Sequence, residues 1–375
     1  MKPRRGLRPR PLGPGLTRVL AYCRPGFERD SASELETQAT GLGIHGIALA
    51  DVRSGLVFFR PDDQGRLVEL YRALPLSCLV FPRQLLIAGE PLILGSPDPV
   101  PPLLEAVRRI APRYGGLWLE CPDLDAAKHR LGALQGLADR LEGTMRRLGL
   151  LADAGGGRAV PRLHLVCIGI RQAILGISYP GPSSPWPMGI PRLRAPPGAP
   201  SRSGLKLEEA LYYFLPGAER SRSLRPGMLA VDLGAAPGGW TLVLARHGLR
   251  VLAVDNGPLD PEVLATGLVE HARADGFRYR PAERVDWLVC DIVAPPQRVA
   301  WLAAQWLAAG WTTRALFNLK LPMKRRAEAL DQCRLVIRQV LARARVSYHL
   351  SLKHLYHDRE EVTAYLRRAP SGKPC

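Results

Sequence analysis

Four charged residues in the second half of the chain stand at the ends of predicted strands or just ahead of the first one. Asp291 and Lys320 each follow an apolar run, and Glu361 directly precedes one. Lys206 lies three residues after Ser203, a plausible helix N-cap, ahead of the first strand of this half. Because ligands of an open α/β sheet lie outside the carboxyl ends of its strands, one edge could gather two lysines and two carboxylates. The alternative, four unrelated surface charges, stays open at this stage.

A lysine in such a group is a candidate proton acceptor. The ordinary pKa of a lysine is about 10.4, so its side chain is mostly protonated at neutral pH. Burial and the like charge of Lys206 would lower the pKa of Lys320, whereas Asp291 would raise it. Asp291 is therefore predicted to orient the lysine rather than to make it basic.

A glycine-rich loop follows the first predicted strand of the same half. The sequence Asp-Leu-Gly-Ala-Ala-Pro-Gly-Gly-Trp occupies residues 232–240, between an apolar run and a helical pattern. Glycines allow the backbone to turn sharply and approach a ligand, and a helix N-terminus offers free N–H groups. A second predicted strand ends in Asp255, about 20 residues after Asp232, where a carboxylate can accept hydrogen bonds from a ribose. An ordinary turn between a strand and a helix is the alternative.

This loop resembles the nucleoside-binding loop of S-adenosylmethionine (SAM) methyltransferases, above all the FtsJ-type RNA ribose 2′-O-methyltransferases. The G-x-G-x-x-G spacing of nicotinamide enzymes is absent. The segments around the charged residues carry the resemblance further; they are Ser-Arg-Ser-Gly-Leu-Lys-Leu-Glu-Glu at 201–209, Val-Cys-Asp at 289–291, Phe-Asn-Leu-Lys-Leu-Pro at 317–322 and Arg-Glu-Glu-Val-Thr at 359–363. The resemblance implies a catalytic Lys-Asp-Lys-Glu tetrad made of Lys206, Asp291, Lys320 and Glu361, with Glu360 as the alternative to the last.

The resemblance also implies roles for individual residues. The reaction would be displacement at the sulfonium methyl of SAM by a ribose 2′-hydroxyl, with Lys320 as proton acceptor and Glu361 orienting Lys206 or the ribose. Residues expected to bind the cofactor are Ser203, Ala236, Pro237, Gly238, Gly239, Asp255, Asp275 and Asp291. Asp275 is equally well explained as a turn residue before Gly276. Ala236 departs from the family, in which a cysteine is expected.

Composition limits the partners and the compartment. The net charge of +18 favours a polyanionic partner, and nucleic acid is the first choice. Seven cysteines without a C-x-x-C pair favour a reducing compartment, and the cytoplasm is expected. No apolar run reaches the ~18–20 residues of a membrane span. His357 and Asp358 have no third ligand at helical spacing, so no metal is expected.

The predicted fold class is α/β, with a Rossmann-like SAM methyltransferase sheet preceded by an α+β ferredoxin-like and THUMP-type RNA-binding region. Two elements predicted along the way are a strand at 79–88 and a helix at 265–275. The expected domains are a disordered basic tail at 1–17, a ferredoxin-like subdomain at 18–95, a THUMP-like RNA-binding domain at 96–179, a proline-rich linker at 180–202, the methyltransferase domain at 203–368 and a tail at 369–375.

Further segments resemble bacterial enzymes that methylate a cytidine 2′-hydroxyl in large-subunit ribosomal RNA. They are Arg-Pro-Gly-Phe-Glu at 24–28, Pro-Met-Gly-Ile-Pro-Arg-Leu at 187–193 and Val-Asp-Asn-Gly-Pro at 254–258. The implied partner is 23S rRNA or a large-subunit precursor, and a monomer is expected. Two alternatives remain, an RNA base methyltransferase and a SAM-binding ribosome assembly factor without activity.

Overall fold

The computed structural model describes residues 15–95, 97–152, 160–169 and 171–370. The chain divides into two compact units, Met1–Ile190 and Pro191–Cys375, and the division falls inside the segment predicted as a linker. Most of the predicted N-terminal tail and the last five residues lie outside the described part. The first strand begins at Leu16, two residues earlier than predicted. Within the described part, no helix is long and apolar enough to cross a membrane.

The first unit is built on one seven-stranded sheet flanked by helices. Its strands are β1 (Leu16–Tyr22), β2 (Gly46–Ala50), β3 (Leu56–Pro61), β4 (Gln84–Ile93), β5 (Leu117–Glu120), β6 (Arg162–Cys167) and β7 (Gln172–Ser178). Its helices are α1 (Glu28–Gly41), α2 (Leu67–Ala73), α3 (Val100–Ile110) and α4 (Asp125–Arg147). The strand order is β2-β3-β1-β4-β7-β6-β5, and only the β5–β6 pair is parallel.

The predicted ferredoxin-like arrangement of the first unit is confirmed. The order β1-α1-β2-β3-α2-β4 along the chain produces the sheet order β2-β3-β1-β4. Strand β4 then pairs with β7 through its other edge. Side chains from both halves, such as Leu35, Phe59, Leu103 and Leu165, belong to one buried apolar cluster. The two predicted subdomains therefore share a sheet and a core.

Strand β4 lies about five residues later than predicted. Residues 79–83 form a loop instead, in which the backbone N–H groups of Val80 and Phe81 donate to the Glu34 carboxylate at 2.7 and 3.0 Å. Pro82 has no N–H to contribute to a sheet. The apolar side chains of this loop are still buried, which is why the sequence pattern resembles a strand.

The second unit is a doubly wound sheet with an antiparallel addition. Its strands are β8 (Leu229–Leu233), β9 (Arg250–Val254), β10 (Val269–Ala272), β11 (Trp287–Cys290), β12 (Arg314–Lys320), β13 (Tyr348–Lys353) and β14 (Glu361–Arg368). Its helices are α5 (Gly204–Phe214), α6 (Ala218–Ser223), α7 (Gly239–Arg246), α8 (Pro261–Leu264), α9 (Pro296–Ala308) and α10 (Arg326–Arg343). The strand order is β10-β9-β8-β11-β12-β14-β13, and this arrangement confirms the predicted Rossmann-like class.

The path of the chain through the second sheet fixes where a ligand can bind. The first five strands in that order are parallel, and β14 pairs antiparallel with both β12 and β13. The chain runs outward from β8 to β10 and then returns to β11 on the other side of β8. The carboxyl ends of β8 and β11 therefore border the topological switch point, the usual binding crevice of such sheets.

The helix predicted at 265–275 is wrong. Helix α8 ends at Leu264, and residues Val269–Ala272 form β10, which pairs in parallel with β9. Gly267 adopts a φ of +69°, which favours glycine and ends the preceding turn. Pairing with β9 at the sheet edge outweighs the helical preference of this polar segment.

Candidate active site

The tetrad residues are brought together by strand register. Strand β12 ends at Lys320, β14 begins at Glu361, and the antiparallel register sets these two residues opposite each other. Asp291 directly follows β11, the parallel neighbour of β12. Lys206 is the third residue of α5. One edge of the sheet therefore carries all four side chains.

The four side chains form an alternating ring of charge, called the charged tetrad below. Lys320 Nζ lies 2.6 Å from Asp291 Oδ1, and Lys206 Nζ lies 3.4 Å from Asp291 Oδ2. Glu361 contacts Lys206 through Oε1 and Lys320 through Oε2. Each carboxylate bridges both ammonium groups. The Glu361 side chain is only 5% exposed, whereas that of Lys320 is 25% exposed and accessible from the edge.

The neighbours of Lys320 set its protonation state. Burial lowers the pKa of Lys320, but the Asp291 and Glu361 carboxylates outweigh burial and the net shift is upward. Burial would raise the pKa of Glu361, yet Lys320 and Lys206 together hold that pKa below its usual range. The sequence expectation that Asp291 raises the pKa of Lys320 agrees with this balance, and Glu361 adds to it. The two shifts therefore favour a protonated Lys320 and an ionised Glu361 at neutral pH.

The glycine-rich loop lies at the carboxyl end of β8. Gly234 adopts a φ of +80°, and a Cβ added there would lie 2.7 Å from Ile292 Cγ1. Gly238 precedes α7 with a φ of +114° and no side-chain cap, so the first N–H groups of this helix face the loop. The backbone can therefore pass close to a ligand where a larger residue would clash.

The expected ribose acid is fixed beside this loop. Asp255 Oδ2 accepts a hydrogen bond from Ala236 N at 3.1 Å, and Oδ1 accepts one from Gly257 N at 2.8 Å. Each oxygen keeps a lone pair for a further donor, because a carboxylate has about four acceptor positions. The carboxylate is thus held in place and can still accept from a ligand hydroxyl.

Two other residues were expected to bind the cofactor, Ser203 and Asp275. The Ser203 hydroxyl does not cap α5, contrary to the sequence prediction, and the residue itself has helical dihedral angles. A Cβ added at Gly239 would lie 2.4 Å from Ser203 Oγ, so the hydroxyl adjoins the start of α7. The half-exposed Asp275 accepts from Phe277 N at 2.9 Å and behaves as the turn residue of the alternative interpretation.

Comparison with known proteins agrees with this geometry. A model of the FtsJ-like methyltransferase family matches residues 199–348, and a model described as the RlmM ferredoxin-like domain matches residues 16–86. The ribosomal RNA large subunit methyltransferase M of Aromatoleum aromaticum is 45% identical over 96% of this chain and 97% of its own length. The enzyme of the same name from Methylococcus capsulatus is 47% identical over 93% of this chain and 97% of its own length.

The chain belongs to the ribosomal RNA large subunit methyltransferase M family. It is a methyltransferase, and the family identified from the loop and the tetrad segments is confirmed. The RlmM ferredoxin-like match covers β1 to the start of β4, and the FtsJ-like match covers the glycine-rich loop together with three of the four tetrad residues. Glu361 lies beyond the matched range, so its assignment rests on the register of β14.

The structure distinguishes the two adjacent glutamates at the start of β14. Glu360 Oε2 accepts from Arg326 Nη2 at 2.9 Å and points away from the tetrad lysines, whereas Glu361 contacts both of them. Arg326 belongs to the basic cluster at 324–326, and this ion pair engages it. Arg325 in the same cluster is 80% exposed.

Glu209 is a site residue that the sequence analysis did not assign. This buried carboxylate accepts from Tyr356 N at 2.8 Å, from His357 N at 2.9 Å and from the His357 ring at 2.6 Å. Glu209 lies one helical turn after Lys206 in α5, so the two side chains share a face of the helix. On that face, Lys206 contacts Glu361 and Glu209 holds the loop that precedes it. The spacing of three residues between Lys206 and Glu209 was the sequence signal that could have identified Glu209. Within the described ranges, no group of three or more His, Cys, Asp or Glu side chains could hold a metal.

Asp232 is a second such residue. It lies inside β8, and burial raises its pKa to about 7 although Thr241 Oγ1 donates to Oδ2 at 2.7 Å. Its Oδ1 is buried and has no hydrogen-bond partner in the described structure. A buried carboxylate oxygen at the switch point with spare accepting capacity fits a ligand that carries N–H or O–H groups.

Proposed function

We propose that this methyltransferase transfers a methyl group from SAM to the 2′-hydroxyl of a cytidine in 23S ribosomal RNA. The charged tetrad is the observation that carries the proposal. Base methylation at an exocyclic amine would be expected to use an Asn/Asp-Pro-Pro-Tyr/Phe motif after β11, and Val-Cys-Asp-Ile-Val stands there. Cytosine C5 methylation needs an accessible cysteine nucleophile, whereas burial raises the pKa of Cys290 to about 12. A site of two lysines and two carboxylates is better suited to methylating an alcohol than a base.

The residues around the glycine-rich loop fit SAM. The backbone of residues 236–239 and the Ser203 hydroxyl would hold its amino-acid part, and Asp255 would accept from its ribose hydroxyls. Asp275 and Asp291 stay the further predicted contacts to SAM. When bound, SAM supplies a methyl group that is electrophilic because its sulfur is positively charged. The orphaned Oδ1 of Asp232 and the close approach allowed at Gly234 support this fit.

Lys320 is the proposed acceptor of the 2′-hydroxyl proton. The hydroxyl oxygen would bond to the methyl carbon as the carbon–sulfur bond of SAM breaks and S-adenosylhomocysteine leaves, and the hydroxyl proton would pass to the neutral amine of Lys320. Removing the resting proton from Lys320 at pH 7 costs more than about 4 kcal/mol, because its pKa lies above the ordinary lysine value. Asp291 and Glu361 hold the amine in place, and positioning of the hydroxyl supplies much of the remaining acceleration.

The proposed partner is 23S rRNA, either free or in a large-subunit precursor. A net charge of +18 supports attraction to a polyanion. We further infer a monomer that works in the cytoplasm. None of the six cysteines of the described residues forms a disulfide, and five of them are buried, as a reducing compartment allows.

A single labelling experiment tests the proposal. Purified protein is incubated with methyl-labelled SAM and unmodified large-subunit RNA, and the RNA is then hydrolysed with alkali. Label in alkali-resistant dinucleotides is expected, because a 2′-O-methyl group blocks cleavage of the adjacent phosphodiester. Glu361→Gln should abolish this label, while Glu360→Gln, its neighbour outside the tetrad, should keep it.

The other outcomes identify the alternatives. Label that appears in alkali-sensitive nucleotides would move the acceptor to a base. Absence of label together with normal SAM binding in a direct titration would favour the assembly-factor alternative.

A further inference from the structure

Directly behind the charged tetrad lies a second, uncharged layer of side chains. Asn318 stands two residues before Lys320 in β12, and Thr363 stands two residues after Glu361 in β14. The register pairs Asn318 with Thr363 as it pairs Lys320 with Glu361. Because side chains two residues apart in a strand share a face, the two cross-strand pairs lie one behind the other.

Hydrogen bonds connect this second layer to Asp291. Asn318 Nδ2 donates to Asp291 Oδ1 at 3.1 Å, the same oxygen that Lys320 Nζ contacts at 2.6 Å. At its other end, Asn318 Oδ1 accepts from Thr363 Oγ1 at 2.9 Å. Both side chains are fully buried. The position of Asp291 therefore depends on an amide that no solvent reaches.

The orientation of the Asn318 amide is dictated by its neighbours. The Asp291 carboxylate can only accept hydrogen bonds, so the NH₂ group of Asn318 must face it. The flipped amide would place its oxygen against a carboxylate oxygen and would remove the Asn318 donor from Asp291 Oδ1. In the observed orientation the amide oxygen of Asn318 accepts from the Thr363 hydroxyl, so both ends of the amide are hydrogen-bonded.

Asp358 decides where the single hydroxyl proton of Thr363 goes. Thr363 Oγ1 lies 3.1 Å from Asp358 Oδ1 and 3.0 Å from Oδ2, and Oδ2 also accepts from Leu355 N at 3.0 Å. Burial holds the pKa of Asp358 well above its usual range, and the nearby carboxylates of Glu361 and Glu209 add to that shift. The protonated form that this shift favours could donate to Thr363 Oγ1 and so leave the Thr363 proton for Asn318.

We propose that Asn318, fixed by Thr363 and Asp358, is a positioning residue for the methyl transfer. It holds the Asp291 carboxylate at the place where Asp291 orients the Lys320 amine. The inference rests on the proposed role of Lys320 as proton acceptor. Asn318 is fully buried, so its loss should affect the chemical step and leave the binding of SAM and RNA nearly unchanged.

Thr363 provides the sharpest test, because valine has nearly its shape and lacks the hydroxyl. In the labelling assay, Thr363→Val is expected to lower kcat by about 10- to 100-fold, the range expected when a reacting group is displaced. KM for RNA and the Kd for SAM should stay within about threefold of wild type. Thr363→Ser, which restores the hydroxyl, should recover kcat to within about threefold of wild type. Rescue by serine would not follow from loss of packing alone.

Thr312→Val is the matched control. Thr312 is also fully buried, and its hydroxyl donates to Arg314 O at the opposite end of β12. This variant should lose comparable stability and keep the wild-type kcat. If Thr363→Val does not fold, Asn318→Asp takes its place, since it keeps the size of Asn318 and replaces the donor to Asp291 by an acceptor; a fall in kcat of about 10-fold or more is expected.

Two results would overturn the proposal. One is a kcat of Thr363→Val, or of its substitute, equal to that of Thr312→Val; the other is a Thr363→Ser variant as slow as Thr363→Val. Because kcat is taken from total label, a wild-type protein that labels a base would contradict the proposed function and leave this comparison intact.

Discussion

Each of the two units contains a buried carboxylate that contacts residues from distant parts of the chain. The two groups of residues, called the Glu120 centre and the charged tetrad, differ in kind. In the first unit, the fully buried Glu120 accepts from Tyr22 Oη at 3.0 Å, from His164 Nδ1 at 2.8 Å and from Met188 N at 2.6 Å. The far nitrogen of His164 is in turn bonded to Ser178 Oγ at 2.8 Å. In the second unit, Glu361 bridges Lys206 and Lys320 at an accessible edge of the sheet.

The difference separates a structural centre from the proposed chemical one. The Glu120 centre is sealed from solvent, and it connects strands β1, β5 and β6 with the segment around Met188. In the charged tetrad, Lys320 is partly exposed to the crevice. A substrate bound there could change the contacts among the four charged side chains. Burial with complete hydrogen bonding stabilises a fold, whereas charge held at an open edge is available for reaction.

Removing the open lysine should produce the largest effect on activity. Lys320→Ala is expected to lower kcat by about 10³-fold or more, as for loss of a general base, with the melting temperature changed little. Methyl transfer to large-subunit RNA and a thermal melt measure the two quantities. A variant with more than a tenth of wild-type activity would remove Lys320 from the chemistry.

Removing the sealed carboxylate should instead unfold the first unit more easily. Glu120→Ala leaves Tyr22, His164 and Met188 N without their acceptor, and a loss of about 3 kcal/mol in the free energy of unfolding is expected. Urea titration measures it. Glu142→Ala, which removes an exposed carboxylate paired with Arg146 at 2.9 Å, should change stability by less than about 0.5 kcal/mol. Equal effects of the two substitutions would contradict the structural role of Glu120.

The pH dependence of activity should report the open lysine. Since the pKa of Lys320 is raised, the neutral amine is scarce at pH 7 and increases about tenfold per pH unit up to that pKa. The observed kcat/KM for methyl transfer should therefore rise with a slope near one between about pH 7 and 9. A plateau that begins below pH 8 would show that the pKa of the acceptor is not raised.

The smallest effect is expected at Asp232, a buried carboxylate that is incompletely bonded, unlike Glu120. Its folded pKa of about 7 lies above the unfolded value of 3.8, so the folded protein holds the extra proton and loses stability as pH rises through 7. Between pH 6 and 8 the free energy of unfolding should fall by about 1.4 kcal/mol from this group. Asp232→Asn should not show that fall in urea titrations at the two pH values. An identical pH dependence in both proteins would assign it to other groups.

The sequence was most informative where position along a strand decides function. Asp291 and Lys320 follow apolar runs, and the rule that ligands lie beyond the carboxyl ends of parallel strands predicts a common edge without any coordinates. The chain order of strands and helices likewise predicts the ferredoxin-like arrangement and the Rossmann-like sheet, but not that the first seven strands share one sheet. These signals are local, and a single chain is enough to show them.

Contacts that depend on tertiary packing were not predictable in the same way. Tyr22 and Glu120 lie 98 positions apart, and no pattern in either segment indicates that their side chains meet. Asn318 and Thr363 are polar residues inside apolar strands, yet the direction of an amide is fixed only by the partners on both sides of it. The short strand β10 was missed because pairing with β9 gives it a conformation that its four residues would not favour alone.

The ten-residue strand β4 has a consequence for how this chain can be divided. One edge of β4 pairs with β1, at the end of the ferredoxin-like half, and the other pairs with β7. A fragment cut after residue 95 would expose a row of unpaired amide and carbonyl groups beside the apolar side chains of the severed core. Such a fragment would be expected to aggregate rather than act as a portable module, so an engineered version of the ferredoxin-like half should keep the strands that cover β4.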